Sequence, residues 1–127
     1  MIGGYVGRIL EIDLTKHETN NISFSEEILR KYIGGSGLGA KLLFDRTDEK
    51  TEPLSPENVI IYMTGPLVGT MVPTSGRHEI ITKSPLTGIY TESDVGGSWG
   101  INLKRAGYDG VVITGKSDKP IYIMIEN

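Results

Sequence analysis

A chain of 127 residues carrying 13 lysines and arginines against 16 aspartates and glutamates, a net charge of −3, fits one domain of ordinary size. Its 38% hydrophobic and 23% charged residues lie near globular averages, which excludes an intrinsically disordered or fibrous chain. The charge balance and the lack of a basic run exclude the electrostatic footprint of a nucleic-acid binder. The absence of cysteine excludes disulfides, thiolate zinc sites and iron–sulfur ligation by these residues. The longest apolar runs, Val59 to Met63 and Ile121 to Ile125, fall far below the roughly 18–20 residues that cross a bilayer. The opening Met1-Ile2-Gly3-Gly4-Tyr5 has no basic segment followed by an apolar stretch, so a cytoplasmic protein without a membrane partner is expected. The 17 glycines are about twice the usual ~7% share. Because they follow no collagen period, they point to close backbone approach at several places.

In chain order, Tyr5 to Leu14 reads as a strand, since Val6, Arg8, Leu10, Ile12 and Leu14 alternate with Gly7, Ile9, Glu11 and Asp13. Thr15-Lys16-His17-Glu18 is a turn into a second strand over Thr19 to Phe24. A helix follows, begun either by a Ser23/Glu26 capping box or by Ser25 as N-cap with Phe24 and Leu29 as a hydrophobic staple. Ile28, Leu29, Tyr32 and Ile33 form its apolar stripe; Gly34-Gly35-Ser36-Gly37 breaks it, and Leu38, Leu42 and Leu43 continue in a second helical piece. Asp45 to Asn58, with Pro53 and Pro56, is a loop, and Val59 to Thr64 a short apolar strand stopped by Gly65-Pro66. Arg77 to Lys83 reads as a strand and Ser84 to Gly88 as a turn. A further helix runs from Gly97 or Ser98 to Ala106, with Lys104 and Arg105 complementing its carbonyl end and Gly107 as the residue after the C-cap. Val111 to Thr114 and Ile121 to Glu126 form a final hairpin across Gly115 to Pro120. The order of elements indicates an α+β fold rather than regular βαβ alternation. A last strand without a partner would leave an exposed edge, so a truncated domain is expected.

Three constellations bear on chemistry. Gly34-Gly35-Ser36-Gly37-Leu38-Gly39-Ala40 follows a helix, not a strand, and lacks the GxGxxG spacing, so it is not a Rossmann site. A hinge for tight helix packing and a cofactor-facing turn both remain open for it. Pro73-Thr74-Ser75-Gly76-Arg77 presents a guanidinium at the start of a strand, where it could grip phosphate bidentately or simply lie on the surface. Asp94-Val95-Gly96-Gly97-Ser98 leads glycine-rich backbone into a helix N-terminus, an anion site or a helix capped by Asp94 or Ser98. Gly100 inside that helix implies a close neighbour, either a ligand or another strand. His17 and His78 have no companion ligands and read as solvated turn or strand residues. No catalytic residue is recognisable, and the physics of the residues stops at an anion-binding α+β domain.

Ordered motifs then carry a resemblance: Gly7-Arg8-Ile9-Leu10, Tyr32-Ile33-Gly34-Gly35-Ser36-Gly37-Leu38, Pro53-Leu54-Ser55-Pro56-Glu57-Asn58, Thr64-Gly65-Pro66-Leu67, Pro73-Thr74-Ser75-Gly76-Arg77, Thr82-Lys83-Ser84-Pro85-Leu86-Thr87-Gly88 and Lys104-Arg105-Ala106-Gly107-Tyr108-Asp109. Collinear over nearly the whole chain, they resemble the N-terminal domain of the aldehyde ferredoxin oxidoreductases, tungsten enzymes with a pterin cofactor. The resemblance implies a β3-α-β3-like repeat, with residues 1–127 as the first repeat and the start of a second in a pterin-cofactor-base domain. It implies a tungsten or molybdenum bis-pterin with magnesium, Arg77 on a pterin phosphate, Asp94 and Gly96 lining the same cofactor by their backbone, and a possible magnesium contact at the Asp94 carbonyl. The family pattern has Asn where this chain has Asp94; a backbone contact leaves that change neutral, and the added charge favours the cation. The implied whole enzyme oxidises an aldehyde to a carboxylic acid, passes electrons to ferredoxin through a four-iron four-sulfur cluster held by later domains, and forms a possible homodimer. The segment alone is expected to be inactive. An aromatic thioester reductase of the same superfamily, and a free-standing pterin-binding or assembly module, are the alternatives.

Overall fold

The computed structural model describes residues 3–126. Met1, Ile2 and Asn127, which the readings of the N-terminus and of the domain's extent included, lie outside them. The elements are β1 (Ile9–Asp13), β2 (Glu18–Ile22), α1 (Glu26–Tyr32), α2 (Gly35–Arg46), β3 (Ile60–Thr64), β4 (His78–Lys83), β5 (Tyr90–Val95), α3 (Trp99–Arg105) and β6 (Gly110–Thr114). The six strands form one sheet in the order β2-β1-β6-β3-β4-β5. Only the β1/β6 pair is parallel; the β1/β2, β3/β6, β3/β4 and β4/β5 pairs are antiparallel. This is the expected α+β class, and among the described residues no helix is long and apolar enough to cross a membrane.

Both faces of the sheet are apolar, which is why β1 carries Ile9 as well as Leu10 and Ile12. Ile9, Ile61, Met63, Ile81 and Val112 point to one face and pack under Leu38, Leu42 and Leu43 of α2. Each such side chain contributes about 1.5–3 kcal/mol by leaving water. Ile12, Val111 and Leu103 of α3 form a second cluster, joined by Leu10, Leu14, Tyr62, Tyr108 and Ile125. Close approach of α2 to the sheet and to α1 accounts for part of the glycine excess. A Cβ at Gly39 would stand 2.4 Å from Ile81 Cδ1, and one at Gly37 would stand 2.3 Å from the Tyr32 carbonyl oxygen.

The helix ends follow their sequence signals in part. Ser25, of the two candidate N-caps, accepts a hydrogen bond from Ile28 N at 3.3 Å, while Glu26 pairs with Arg30 at 2.8 Å instead of closing a box with Ser23. At the end of α3, Gly107 has φ +90°. Its N–H donates to Lys104 O at 3.0 Å and the Tyr108 N–H to Leu103 O at 3.1 Å, the Schellman pattern that satisfies the last carbonyls. Lys104 stands in the last turn of α3, as expected. It turns inward, donates to Asp109 and to Gly4 O, and is as buried as its carboxylate partner.

Four expectations are corrected. Strand β1 begins at Ile9, not Tyr5, because Gly7 has φ +88° and the Val6 and Gly7 N–H groups donate to the Asp109 carboxylate at 3.0 and 2.6 Å rather than to a ladder. Ile121 to Glu126 forms no hairpin with Val111 to Thr114, because β6 is already flanked by β1 and β3. Tyr90 to Val95, not read as a strand, is the edge strand β5. His78 is buried rather than solvated, with its ring 4.4 Å from that of Trp99 and 6.4 Å from that of Tyr62. Burial pushes its pKa down.

Candidate functional site

The site is assembled by the β4–β5 hairpin and the segments entering and leaving it. The register pairs His78 with Val95 and Glu79 with Asp94. Arg77, one residue before β4, and Gly96, one residue after β5, are thereby carried to the same end of the hairpin. Arg77 Nη1 lies 3.7 Å from Asp94 Oδ2, and both side chains are largely exposed. So loose a pair leaves most of the guanidinium fork free for another oxyanion.

Two clefts meet at Arg77. One, of about 390 Å³, is lined by Thr70, Val72, Thr74, Arg77, Gly96, Gly97 and Ile101. A Cβ built on Gly96 or Gly97 meets nothing within 4 Å, so the backbone there is bare toward the cleft. The other, of about 620 Å³, is lined by Ile33 to Gly37 at the start of α2, by Gly65 to Val68, and by Thr74, Ser75, Arg77 and Glu79. The 12-residue helix α2 begins at Gly35, and its N-cap Gly34 has no side chain to satisfy the first N–H groups. Gly37 and Gly39 permit packing, one of the two readings of the glycine segment, while Gly34 and Gly35 line a cleft.

The rim is strained and acidic. Ile33 has φ 63° and ψ −74°, with Gly34 N donating to Tyr32 O at 2.8 Å, a γ-turn of the rare positive-φ kind. Thr74, in both clefts, has φ 60°. Such conformations cost about 1–3 kcal/mol each and persist where surrounding contacts enforce them; here the Tyr5 hydroxyl donates to Ile33 O at 2.7 Å. Burial first, then the Asp94 and Glu92 carboxylates, push the Glu79 carboxyl up to about 7 against the pull of Arg77. The Tyr90 and Ser36 hydroxyls hold the Glu92 carboxyl below its usual range.

Arg77, Asp94 and Gly96 are therefore neighbours. The reading of Asp94 or Ser98 as a helix cap is overturned. Asp94 lies within β5, and Ser98 at the N-cap of α3 makes no capping bond with its side chain. The close neighbour of Gly100 is protein: a Cβ there would meet Gly76 O at 3.2 Å, Val68 at 3.4 Å and His78 at 3.5 Å. Sequence reasoning missed Glu79 and Ser36, polar residues in a strand and a glycine run with no spacing signal of their own. Among the described residues no group of three or more His, Asp and Glu side chains is placed to hold a metal.

The model of the N-terminal domain of aldehyde ferredoxin oxidoreductase matches residues 9–127. A tungsten-containing aldehyde ferredoxin oxidoreductase of Pyrococcus abyssi is 45% identical over 124 residues, covering 98% of this chain and 20% of its own length. The WOR-like subunit of an aliphatic sulfonate oxidoreductase of Pyrococcus furiosus is 38% identical over 97% of this chain and 20% of its own. Among solved structures, the active-site complex BamBC of benzoyl coenzyme A reductase with 1,5-dienoyl-CoA superposes with a TM-score of 0.91 at 39% identity, over 94% of this chain and 18% of that one. The chain spans about a fifth of the length of the relatives it matches.

Proposed function

The chain belongs to the aldehyde ferredoxin oxidoreductase family, of which it carries the N-terminal domain, and from that premise we propose that it is the cofactor-base portion of a longer tungsten or molybdenum pterin enzyme. The observation that carries the proposal is the meeting of Arg77 with the bare Gly96–Gly97 backbone in one cleft. A guanidinium fork and a main chain that leaves room for close approach are two complementary ways of receiving a phosphate. The cradle would suit a phosphate-bearing pterin: Arg77 would hold the phosphate, Gly96 would let the cofactor approach the main chain, and the Asp94 backbone carbonyl would offer oxygen to a magnesium ion.

When bound, the metal and its pterins supply the two-electron oxidation of an aldehyde with water to a carboxylic acid, the electrons leaving for ferredoxin. These residues contribute positioning and charge, not a proton or a nucleophile. Without cysteine they hold no iron–sulfur cluster, which other parts of the longer chain supply. A second reading, reduction of an aromatic thioester, is favoured by the likeness to the benzoyl coenzyme A reductase complex. A free-standing pterin-binding or assembly module is the third. In the first two this segment has the same task.

The test is Arg77→Ala in the full-length protein. Arg77 is exposed and loosely paired, so folding stability changes by about 0–1 kcal/mol. A hydrogen bond to a charged group is worth about 1.5–3 kcal/mol, so cofactor affinity falls roughly 10- to 150-fold and the tungsten and pterin content of the purified protein drops. Unchanged occupancy by elemental analysis removes Arg77 from the site.

A further inference from the structure

The two walls of the cleft at Arg77 come from different elements. Arg77 leads into β4, whereas Gly96 and Gly97 connect β5 to α3, so their spacing depends on how the first turn of α3 is seated against the start of β4. Main-chain approach seats one side of it. A Cβ at Gly76 would stand 3.0 Å from Gly97 O and 3.3 Å from Ile101 Cδ1, and one at Gly100 would stand 3.2 Å from Gly76 O; a methyl group at either glycine would crowd the opposite segment. Ring packing seats the other side. The His78 ring lies 4.4 Å from that of Trp99, the first residue of α3, and the Trp99 ring lies 5.3 Å from that of Tyr62 on β3. Ladder pairing with Thr64 on one side and Val95 on the other fixes the main chain of His78. Its side chain is buried, and Nδ1 has no hydrogen-bond partner among the described residues. What joins the imidazole to Trp99 is therefore aromatic contact.

We propose that His78 and Trp99 are positioning residues for the cofactor cradle, their ring contact setting the distance between the Arg77 guanidinium and the Gly96–Gly97 backbone. The proposal rests on the reading of Arg77 and Gly96 as a phosphate cradle. Neither ring lines either cleft, so both act through the main chain they hold. Leu103 keeps the later part of α3 in its own cluster with Ile12 and Val111. Without the ring contact the helix stays on the sheet, while its first turn and the Gly96–Gly97 segment joined to it are free to shift. Binding constellations work within about 0.5 Å of their productive geometry, so a shift of that size weakens a grip shared between a side chain and a main chain.

The test compares full-length His78→Ala, Trp99→Leu and His78→Phe with wild type, with Arg77→Ala and with Ile9→Ala, a control that removes buried volume from β1 on the face under α2. Tungsten and pterin content and the rate of their release are measured well below each thermal midpoint. His78→Ala and Trp99→Leu are expected to release the cofactor about tenfold faster, a part of the loss that Arg77→Ala causes. His78→Phe keeps a ring against Trp99 and restores the wild-type rate, while Ile9→Ala lowers the midpoint and leaves the rate unchanged. Trp99 is 40% exposed and tolerates truncation, so Trp99→Leu carries the test where His78→Ala does not fold. Unchanged release in the variants that lose the ring contact overturns the proposal, as does His78→Phe behaving like His78→Ala, or Ile9→Ala speeding release as much as they do. Unchanged occupancy in Arg77→Ala overturns the cradle reading itself; a loss there without one in His78→Ala or Trp99→Leu overturns only the positioning role.

Discussion

Replacing Asp109 with Ala removes the carboxylate that ties the N-terminal segment to the turn between α3 and β6. Its two oxygens accept from Val6 N at 3.0 Å and Gly7 N at 2.6 Å, and the Lys104 ammonium donates to it from a site where each side chain is only 7% exposed. The substitution leaves two backbone donors without acceptors and the Lys104 charge with the Gly4 carbonyl, 2.8 Å away, as its remaining partner. Removing one member of a buried ion pair costs about 3–5 kcal/mol, because the desolvated charge that remains is uncompensated. In a domain of this size that lowers the thermal midpoint by roughly 10–20 °C. The assay is thermal unfolding of wild type, Asp109→Ala, Lys104→Met and the double variant Lys104→Met/Asp109→Leu by circular dichroism. The double variant recovers the part of the loss that comes from the unpaired Lys104 charge, since it leaves no buried charge, but not the part that comes from the Val6 and Gly7 N–H groups, which still lack acceptors. Asp109→Ala within about 1 kcal/mol of wild type would refute the claim that this pair anchors the N-terminal segment, and with it the account of why Gly4 to Gly7 leaves the sheet.

Two further substitutions probe the site itself. Glu79, with its carboxyl pushed up to about 7, is protonated more readily folded than unfolded. Between its ordinary value of 4.5 and 7 the folded state binds more protons, so stability falls as pH rises through that window. Glu79→Gln flattens this slope in denaturant titrations across the window, and an unchanged slope rejects the assignment. Gly96→Ala places a methyl group where nothing lies within 4 Å, so it leaves the thermal midpoint within about 2 °C of wild type. In the full-length enzyme the same methyl meets the cofactor and lowers tungsten content, whereas normal metal loading excludes close approach at Gly96.

Where hydrophobic periodicity or a cap carried the signal, the fold was legible. Ser25, the Leu38/Leu42/Leu43 stripe and Gly107 behave as their residue types require. Strand β5 was hidden because Tyr90 to Val95 is an edge strand with a mostly exposed, polar sequence, which carries no alternation to read. Ile121 to Ile125 misled in the opposite sense: strand propensity is local, but a ladder needs a neighbour, and β6 has none free. Arg77, Asp94 and Gly96 were visible as motifs, but only the Glu79–Asp94 register brings them to one place. The cleft at the start of α2 was not visible, since its glycines match no phosphate-loop spacing and its second wall, Gly65 to Val68, is distant in sequence.

The central claim is that this chain is the cofactor base of a longer pterin enzyme. Intact mass and elemental analysis of the native protein carrying this N-terminus test it most directly. Expected is a chain several times longer than 127 residues that retains tungsten or molybdenum together with pterin phosphate through purification. A native protein near 13.9 kDa, or a longer one free of metal and pterin, would contradict it.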